Sequence, residues 1–237
     1  MSKKVKSLLL VLCALVFAVA GVFATLAYLQ DDDVVDNTVT IGDITMDLDE
    51  GTFKEIDPYT GEIEFDFGER EQDGNEYHLI PGVTYPKDPT VHINKGSEPC
   101  YVFVQVNNGL EGLEVDVAER TLDDGTVLPE GMIAAQMEAN NWVKVDGYKN
   151  LWVYKANTVD GKPYIVDAKN IAEETLDLQV FGQFKVNADA NNGGNPDIDE
   201  YKDAHITVKA FAIQTVGFPT YQDALSQLPA GWEGPIA

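Results

Sequence analysis

The sequence predicts an all-β protein, a jelly-roll-like β-sandwich with short peripheral helices. Two observations carry this prediction: runs in which apolar and polar residues alternate, and clusters of Gly, Pro, Asn and Asp between those runs. The clearest run is 100–107, where Cys100, Val102, Val104 and Val106 point to one side and a mixed set points to the other. A strand with one apolar face belongs in a sheet that covers a core.

Three further strands are predicted in the first half of the chain. Residues 38–48 alternate, with a change of phase at Gly42 that indicates a bulge or bend, and end at an acidic turn. Residues 63–67 alternate without interruption, and residues 90–93 begin a strand after a proline-rich stretch. Within that stretch, Lys87-Asp88 lies between two prolines, which fix backbone angles and remove hydrogen-bond donors. We therefore expect Lys87-Asp88 to form an exposed surface turn, with a subunit contact as the alternative.

A hairpin is predicted for residues 142–155. Its turn is placed at Asp146-Gly147, because Asp-Gly suits the tight turns that join antiparallel strands. Trp142 and Trp152 are expected to pack across this hairpin. The alternative is that these indoles, with Tyr154, are exposed and stack on a sugar ring.

The last third of the chain is predicted to contain two long neighbouring strands. Residues 175–187 form the longest alternating run, and residues 205–214 form the strand expected to lie beside it. Thr220 is placed to cap a short helix over residues 221–225. The less regular residues 109–140 are interpreted as an insertion in the sandwich.

The first 27 residues are predicted to be a signal peptide. Basic residues precede an almost unbroken apolar run, and small residues stand where a signal peptidase reads the chain, which places cleavage between Ala27 and Tyr28. Cleavage after Ala24 is the second choice, and a transmembrane anchor is the competing interpretation. The apolar run is short for a membrane span and is followed by acidic rather than basic residues.

After cleavage, residues 28–37 would be a flexible segment and residues 38–237 one β-sandwich domain. The whole chain carries 40 acidic and 16 basic residues, a formal net charge of −24. Such a surface repels nucleic acids and anionic membranes, so neither is expected as a partner. Of the two cysteines, Cys13 would be removed and Cys100 is expected as a buried thiol, with an intermolecular bridge as the alternative.

No motif for catalysis or cofactor binding is found. The three histidines, His78, His92 and His205, are scattered, and no HExxH occurs, so the chain is predicted not to be an enzyme. Carboxylates are too numerous in this sequence to point to a site.

One polar loop has the oxygen spacing of a calcium-binding loop. Donor side chains fall at positions 1, 3, 7, 9 and 12 of a twelve-residue stretch: Asp189, Asn191, Asn195, Asp197 and Glu200. A proline at position 8 and a glycine at position 5 depart from the EF-hand pattern, and both flanks are predicted strands. The loop is therefore interpreted as either a calcium site or a solvated turn.

Several stretches together resemble the TasA/camelysin family of secreted biofilm-fibre proteins from Gram-positive bacteria. They are the segment ATLAYLQDDD followed by IGDITMDLDE, the block with PG, KDP, SE and CYVFVQV, and the closing HITVKAFAIQT with GFPTYQDAL. The resemblance covers the signal, the first strand, the central block and the closing strand. Residues 109–175 carry no such motif.

The resemblance implies a secreted structural subunit that polymerises with copies of itself into extracellular matrix fibres. It implies processing by a SipW-type signal peptidase, and assembly in which the mature N-terminal segment of one subunit adds as a strand to the next. On this chain the donor would begin at Tyr28, with Val34 and Val35 as anchors. The alternatives are a monomeric adhesin or glycan-binding module and a camelysin-type metallopeptidase.

Overall fold

A computed structural model describes residues 44–52, 67–72, 74–75, 77–156, 161–191, 195–229 and 232. The predicted signal peptide and its cleavage site at Ala27 and Tyr28, the anchors Val34 and Val35, and most of the strand predicted at 63–67 lie outside these residues. Within them, no helix has the length and apolar character needed to cross a membrane.

The described residues are mostly strands, with short helices between them. The strands are β1 Met46–Gly51, β2 Arg70–Glu71, β3 Thr84–Pro86, β4 Thr90–Asn94, β5 Cys100–Asn108, β6 Glu114–Val115, β7 Arg120–Thr121, β8 Val127–Leu128, β9 Trp142–Lys144, β10 Leu151–Tyr154, β11 Thr175–Gln179, β12 Gln183–Val186 and β13 Ile206–Gln214. The helices are α1 Ile133–Ala139 and α2 Tyr221–Ala224, with 3-10 turns at Ile198–Tyr201 and Leu225–Gln227.

Two four-stranded antiparallel sheets form the sandwich. One has the order β11-β4-β1-β2 and the other β13-β5-β10-β9. A smaller sheet, β3-β12-β6, continues from the first, and β7 pairs only with β8 among the described strands. The predicted all-β, sandwich-like fold with short peripheral helices is confirmed.

Strand β5 is the centre of the second sheet and is buried on both faces. On one face, Val102 and Val104 enter the main core between the sheets. On the other, Tyr101 and Phe103 join a second apolar cluster that the chain end covers, with Trp232 among its members. The sequence predicted only the first face to be apolar. The second is covered because residues after β13 fold back over the sheet.

The predicted strand at 175–187 is wrong as a single element, because it divides into β11 and β12 at a corner. There the Val180 N–H donates to the Pro89 carbonyl (2.8 Å), and the Lys87 N–H donates to the Gly182 carbonyl (3.1 Å). The paired ribbons β4/β11 and β3/β12 therefore bend together and pass from one sheet to the next. Gly182 is needed at this corner, since a Cβ there would lie 2.6 Å from Leu128 Cδ2.

The predicted pairing of this run with residues 205–214 is also wrong. β11 pairs with β4, β12 pairs with β3 and β6, and β13 pairs with β5 along its whole length. Alternation identified β13 correctly as a strand. Alternation carries no information about which strands become neighbours, so the sequence pattern does not specify that β13 pairs with β5.

The predicted hairpin is confirmed as β9 and β10, which pair in antiparallel register. Its connection is longer than an Asp-Gly turn, because the Val145 N–H still donates to the Leu151 carbonyl at 2.9 Å. The loop therefore spans residues 146–150, and Gly147 takes a positive φ of 82° within it.

Candidate functional site

The two sides of the sandwich differ, and the side formed by β9 and β11 is closed. The Trp142 Nε1–H donates to the Gln179 carbonyl at 2.9 Å, and the Asn140 Nδ2 group donates to the Val180 carbonyl at 3.4 Å. The Trp142 ring packs edge-on against Tyr154, with centroids 5.2 Å apart. Trp142 and Trp152 are both buried in the main core, so neither presents an indole face on which a sugar could stack.

The opposite side carries the backbone edge of β13, which is partly exposed at Ile206 and Val208 and buried from Ala210 onwards. Hydrogen bonds from the Gly109 N–H to the His205 carbonyl and from the Thr215 N–H to the Pro99 carbonyl show that odd-numbered residues of this strand face β5. Because backbone groups alternate in direction along an antiparallel strand, those of Ile206, Val208 and Ala210 face away from the sheet. No strand in the described part of the chain pairs with this edge.

Strand β1 presents a second edge on the same side. The Asn94 N–H donates to the Thr45 carbonyl at 2.9 Å, so the backbone groups of Met46 and Leu48 face away from β4. β2 pairs with β1 only at Glu50 and Gly51. Over its first residues, β1 therefore has no pairing strand on that edge within the described ranges.

A groove runs beside these edges, and we call it the edge groove. It consists of two cavities of about 240 and 450 Å³ that meet at Lys87 and Ile206. The smaller lies between β1 and β13 and includes Leu48 and Val208 in its lining. The larger continues past the start of β13, where its lining includes Tyr77, Tyr201, Lys202 and His205.

The wall shared by the two cavities contains a buried ion pair. Lys87 and Glu50 are each 6% exposed, and the Lys87 ammonium contacts Glu50 Oε2. The other Glu50 oxygen accepts hydrogen bonds from the Asn75 N–H (2.6 Å) and Nδ2 (2.8 Å). The ammonium also lies 5.7 Å from the centre of the Tyr77 ring.

The prediction that Lys87-Asp88 forms an exposed surface turn is therefore wrong. Asp88 is only 4% exposed; its Oδ2 accepts from Arg70 Nη1 (2.7 Å) and its Oδ1 from the Gly51 N–H (2.7 Å). The two residues occupy the corner between β3 and β4 and tie it to β1 and β2. Burial raises the pKa of Asp88, because loss of hydration outweighs the attraction of Arg70.

A second charged group continues this network across the outer face of the first sheet. His92 on β4 lies between two carboxylates: its Nε2 is 2.9 Å from Asp49 Oδ1 and its Nδ1 is 2.7 Å from Asp177 Oδ1. Asp49 also accepts from Arg70 Nε at 2.5 Å. His92 thus links β1, β4 and β11, whereas His205 is exposed at the start of β13.

The charge of His92 follows from these contacts. The hydrogen bond to Asp49 raises the pKa of His92, and the contact with Asp177 adds to this effect against the cost of burial. Burial alone would raise the pKa values of Asp49 and Asp177, but their hydrogen bonds to His92 lower both. The charged forms of all three groups are therefore favoured together.

The prediction that the chain is not an enzyme must be corrected. It rests on the absence of HExxH, on the scattering of the histidines in the sequence, and on carboxylates too numerous to point to a site. The fold gathers Asp49, His92 and Asp177 into one hydrogen-bonded network. Histidine and carboxylate side chains in contact are groups that acid–base catalysis uses, so the scattering of these residues along the sequence is no ground for excluding catalysis.

The five residues of the calcium interpretation are not brought together as a ligand set by the described atoms. Asn191 Oδ1 accepts from the Ile198 N–H (2.8 Å), and Asp197 Oδ1 accepts from the Asp199 N–H (3.0 Å) at the start of a 3-10 turn. Asp189, Asn195 and Glu200 are exposed. Across the described residues, no group of three or more His, Cys, Asp or Glu side chains is arranged to hold a metal ion.

The prediction for Cys100 is confirmed, since its thiol is buried and free. Burial raises the pKa of this thiol to about 12. It is therefore protonated and shielded in the folded protein.

Comparison with known proteins found no match for this chain. No model of a known family matches the chain, and no curated protein and no solved structure matches it either. The resemblance to the TasA/camelysin family accordingly stays a prediction from the sequence motifs.

Proposed function

We propose that this chain is a secreted structural subunit of extracellular or biofilm-matrix fibres, and that its partner is a second copy of itself. The observation that carries the proposal is the edge groove. One side of the sandwich is sealed by Trp142, whereas the other carries the edge of β13 beside two adjoining cavities of about 240 and 450 Å³. An open sheet edge is a template on which another strand can add.

The occupant that fits this proposal is the mature N-terminal segment of the neighbouring subunit. An extended segment that begins at Tyr28 would bond to the outward backbone groups of Ile206 and Val208, which are partly exposed. Each such bond contributes about 0.5–1.5 kcal/mol, and apolar anchors add specificity. Val34 and Val35 supply those anchors.

The N-terminal sequence supports export before assembly. Basic residues, an apolar run and small residues before Tyr28 stand in the order that a signal peptidase recognises. Cleavage there would free the segment from the apolar leader. The family resemblance places the product at the surface, or in the extracellular matrix, of a Gram-positive bacterium and assigns processing to a SipW-type peptidase.

The test compares purified protein 28–237 with protein 38–237. Both are examined by negative-stain microscopy and size-exclusion chromatography, at neutral and acidic pH and at low and high salt, so that the repulsion expected from the net negative charge is screened. Fibres formed only by the longer protein are the expected result. Monomers from both proteins under all conditions would contradict the proposal and favour a monomeric binding module.

A further inference from the structure

Three side chains that can react with one another meet in the wall between the two cavities of the edge groove. The Lys87 ammonium contacts Glu50 Oε2, and Asn75 Nδ2 donates to Glu50 Oε1 at 2.8 Å. One carboxylate therefore holds an amine on one of its oxygens and a primary amide on the other. An amine, an amide carbon and a carboxyl group that moves protons are the groups needed to form an amide bond between two side chains.

Backbone contacts hold the amine and the amide in place. The Asn75 N–H donates to Glu50 Oε1 at 2.6 Å, and Asn75 Nδ2 also donates to the Gly51 carbonyl at 3.0 Å. Lys87 lies at the corner before β4, where its own N–H donates to the Gly182 carbonyl at 3.1 Å. Groups positioned by the fold react as if they were highly concentrated, because the entropy of bringing them together is already lost.

The amine is shielded from water. Lys87 and Glu50 are each 6% exposed, and the Tyr77 ring lies 5.7 Å from the Lys87 ammonium. The Tyr77 hydroxyl donates to the Pro86 carbonyl at 2.9 Å, which fixes the ring there. In such surroundings the transfer of a proton from Nζ to Oε2 costs less than in water, because two buried charges become two neutral groups. The neutral amine that results is a nucleophile.

We propose that Lys87 and Asn75 form an isopeptide bond after folding, with Glu50 as the catalytic residue that moves the protons. Lys87 Nζ attacks Asn75 Cγ, the Nζ–Cγ bond forms and the Cγ–Nδ2 bond breaks. The two protons that Nζ loses pass to Nδ2 through Glu50, so the leaving group departs as ammonium and Glu50 returns to its carboxylate form. No group is oxidised or reduced in this reaction.

The arrangement assigns the acceptor role to Asn75 and not to Glu50. Asn75 Nδ2, the leaving nitrogen, is already hydrogen-bonded to the carboxyl group that supplies its protons. An ionised carboxylate resists attack by an amine, because the new electron pair would add to a group that is already negative. The ammonium also has a route to solvent, since Asn75 is half-buried and lies with Lys87 in the lining of the larger cavity.

The bond would fasten the chain before β3 to the corner before β4. The ion pair of Lys87 with Glu50 is the state that precedes the reaction. The one cysteine in the described part of the chain, Cys100, is free, so a link at Asn75 would supply a covalent constraint that no disulfide provides there. This inference goes beyond the proposed function, because it needs neither a second subunit nor an open sheet edge.

Peptide mapping of the full chain tests the proposal. Trypsin cuts after lysine and arginine, so an unlinked chain gives the peptides 71–87 and 88–95 once it is unfolded. Acylation of Nζ removes the cleavage site at Lys87. The linked protein should therefore give one peptide, 71–95, with a mass lower than that of its sequence by one ammonia, and tandem mass spectrometry should locate the link between Asn75 and Lys87.

Two variants separate the roles of the three residues, and circular dichroism shows whether each is folded. Asn75→Ala removes the acceptor but leaves the ion pair of Lys87 and Glu50, so the protein should fold without the link. Glu50→Gln keeps both partners, yet the linked peptide should fall to a small fraction of its wild-type yield, since loss of a general acid–base typically slows a reaction by about 10²–10⁴-fold. Asn94→Ala, at another half-buried asparagine, is the matched control and should keep the link.

Three outcomes would overturn the proposal. Separate peptides 71–87 and 88–95 from the folded wild type would show that no bond forms. Loss of ammonia from peptide 71–87, with Lys87 still cleaved, would show that Asn75 reacts with its own backbone. A link that lowers the mass by one water and contains Glu50 would show that Glu50 is the acceptor. None of these measurements needs polymers, so failure of the proposed function would leave this inference unaffected.

Discussion

The Lys87 ammonium and the Glu50 carboxylate form an ion pair inside the sandwich, between residues 37 positions apart in the sequence. Both side chains are almost completely shielded from water. Glu50 is held by Asn75 on its other oxygen, so its position is fixed from two sides. The pair joins the corner before β4 to the end of β1 and forms the wall between the two cavities of the edge groove.

Replacing Lys87 by Met is predicted to destabilise the fold strongly. The substitution leaves the Glu50 carboxylate buried without its counter-charge, which typically costs about 3–5 kcal/mol. The double variant Lys87→Met/Glu50→Gln should recover much of this loss, because the glutamine is neutral and can still accept from Asn75. Urea unfolding of the single and double variants measures the effect. The exposed Lys149→Met is the control, and a loss of that size from it, or no recovery in the double variant, would contradict the prediction.

The contribution of His92 to stability is predicted to depend on pH. Because the folded pKa of His92 is raised, its stabilising effect is fully present below the unfolded value of about 6.5 and is lost as pH rises through the folded pKa. Because the folded pKa values of Asp49 and Asp177 are lowered, their effect is present above about 3.9 and is lost as pH falls through the folded values. The network is therefore strongest in mildly acidic solution.

The measurement is the difference in unfolding free energy between the wild type and His92→Gln from pH 3 to pH 9. We expect a maximum of about 0.5–1 kcal/mol in mildly acidic solution, since partial exposure screens the ion pairs. His205→Gln, at an exposed histidine, is the control. A difference that stays constant or grows towards pH 9 would show that the charge of His92 does not stabilise the sheet.

The hydrogen bond of the Trp142 indole N–H on the closed side of the sandwich is predicted to contribute to the stability of the fold. Trp142→Phe keeps an aromatic ring but removes the donor to the half-buried Gln179 carbonyl, and the loss of such a hydrogen bond costs about 0.5–1.5 kcal/mol. Trp152→Phe is the matched control, because it makes the same change of ring in the same core without removing a described hydrogen bond. Thermal unfolding of both variants should show the larger loss for Trp142→Phe. Equal losses of stability in the two variants would show that the smaller ring, and not the lost hydrogen bond, destabilises the protein.

The features that the sequence predicts correctly are those that neighbouring residues determine. The alternation of β5, the hairpin of β9 and β10, and the cap of α2 are local, and in that cap the Thr220 side chain accepts from the Asp223 N–H as the spacing predicts. The buried Lys87-Asp88 corner depends on partners far along the chain, Glu50 and Arg70. Two prolines around a charged pair indicate a turn equally well whether it lies in solvent or inside the fold.

The edge groove cannot be predicted from the sequence either, because it also depends on how distant strands are arranged. A strand at a sheet edge and a strand inside a sheet can show the same alternation, so the pattern of 205–214 identified β13 without revealing that one edge is unpaired among the described strands. Polar residues such as Lys202 and His205 are equally common on surfaces without a function. Only the topology shows that they adjoin an open edge.

The edge of β13 is predicted to be the acceptor in assembly, and proline substitution can test this. Val208→Pro removes an outward N–H and leaves the ladder to β5 intact, so the subunit should stay folded while fibre formation is blocked. Lys209→Pro removes an N–H that faces Gln105 on β5, and the loss of that interior bond should cost about 1–3 kcal/mol of stability. Circular dichroism measures folding, and negative-stain microscopy of protein 28–237 measures assembly. Normal fibres from a folded Val208→Pro protein would exclude this edge as the site where the next subunit adds.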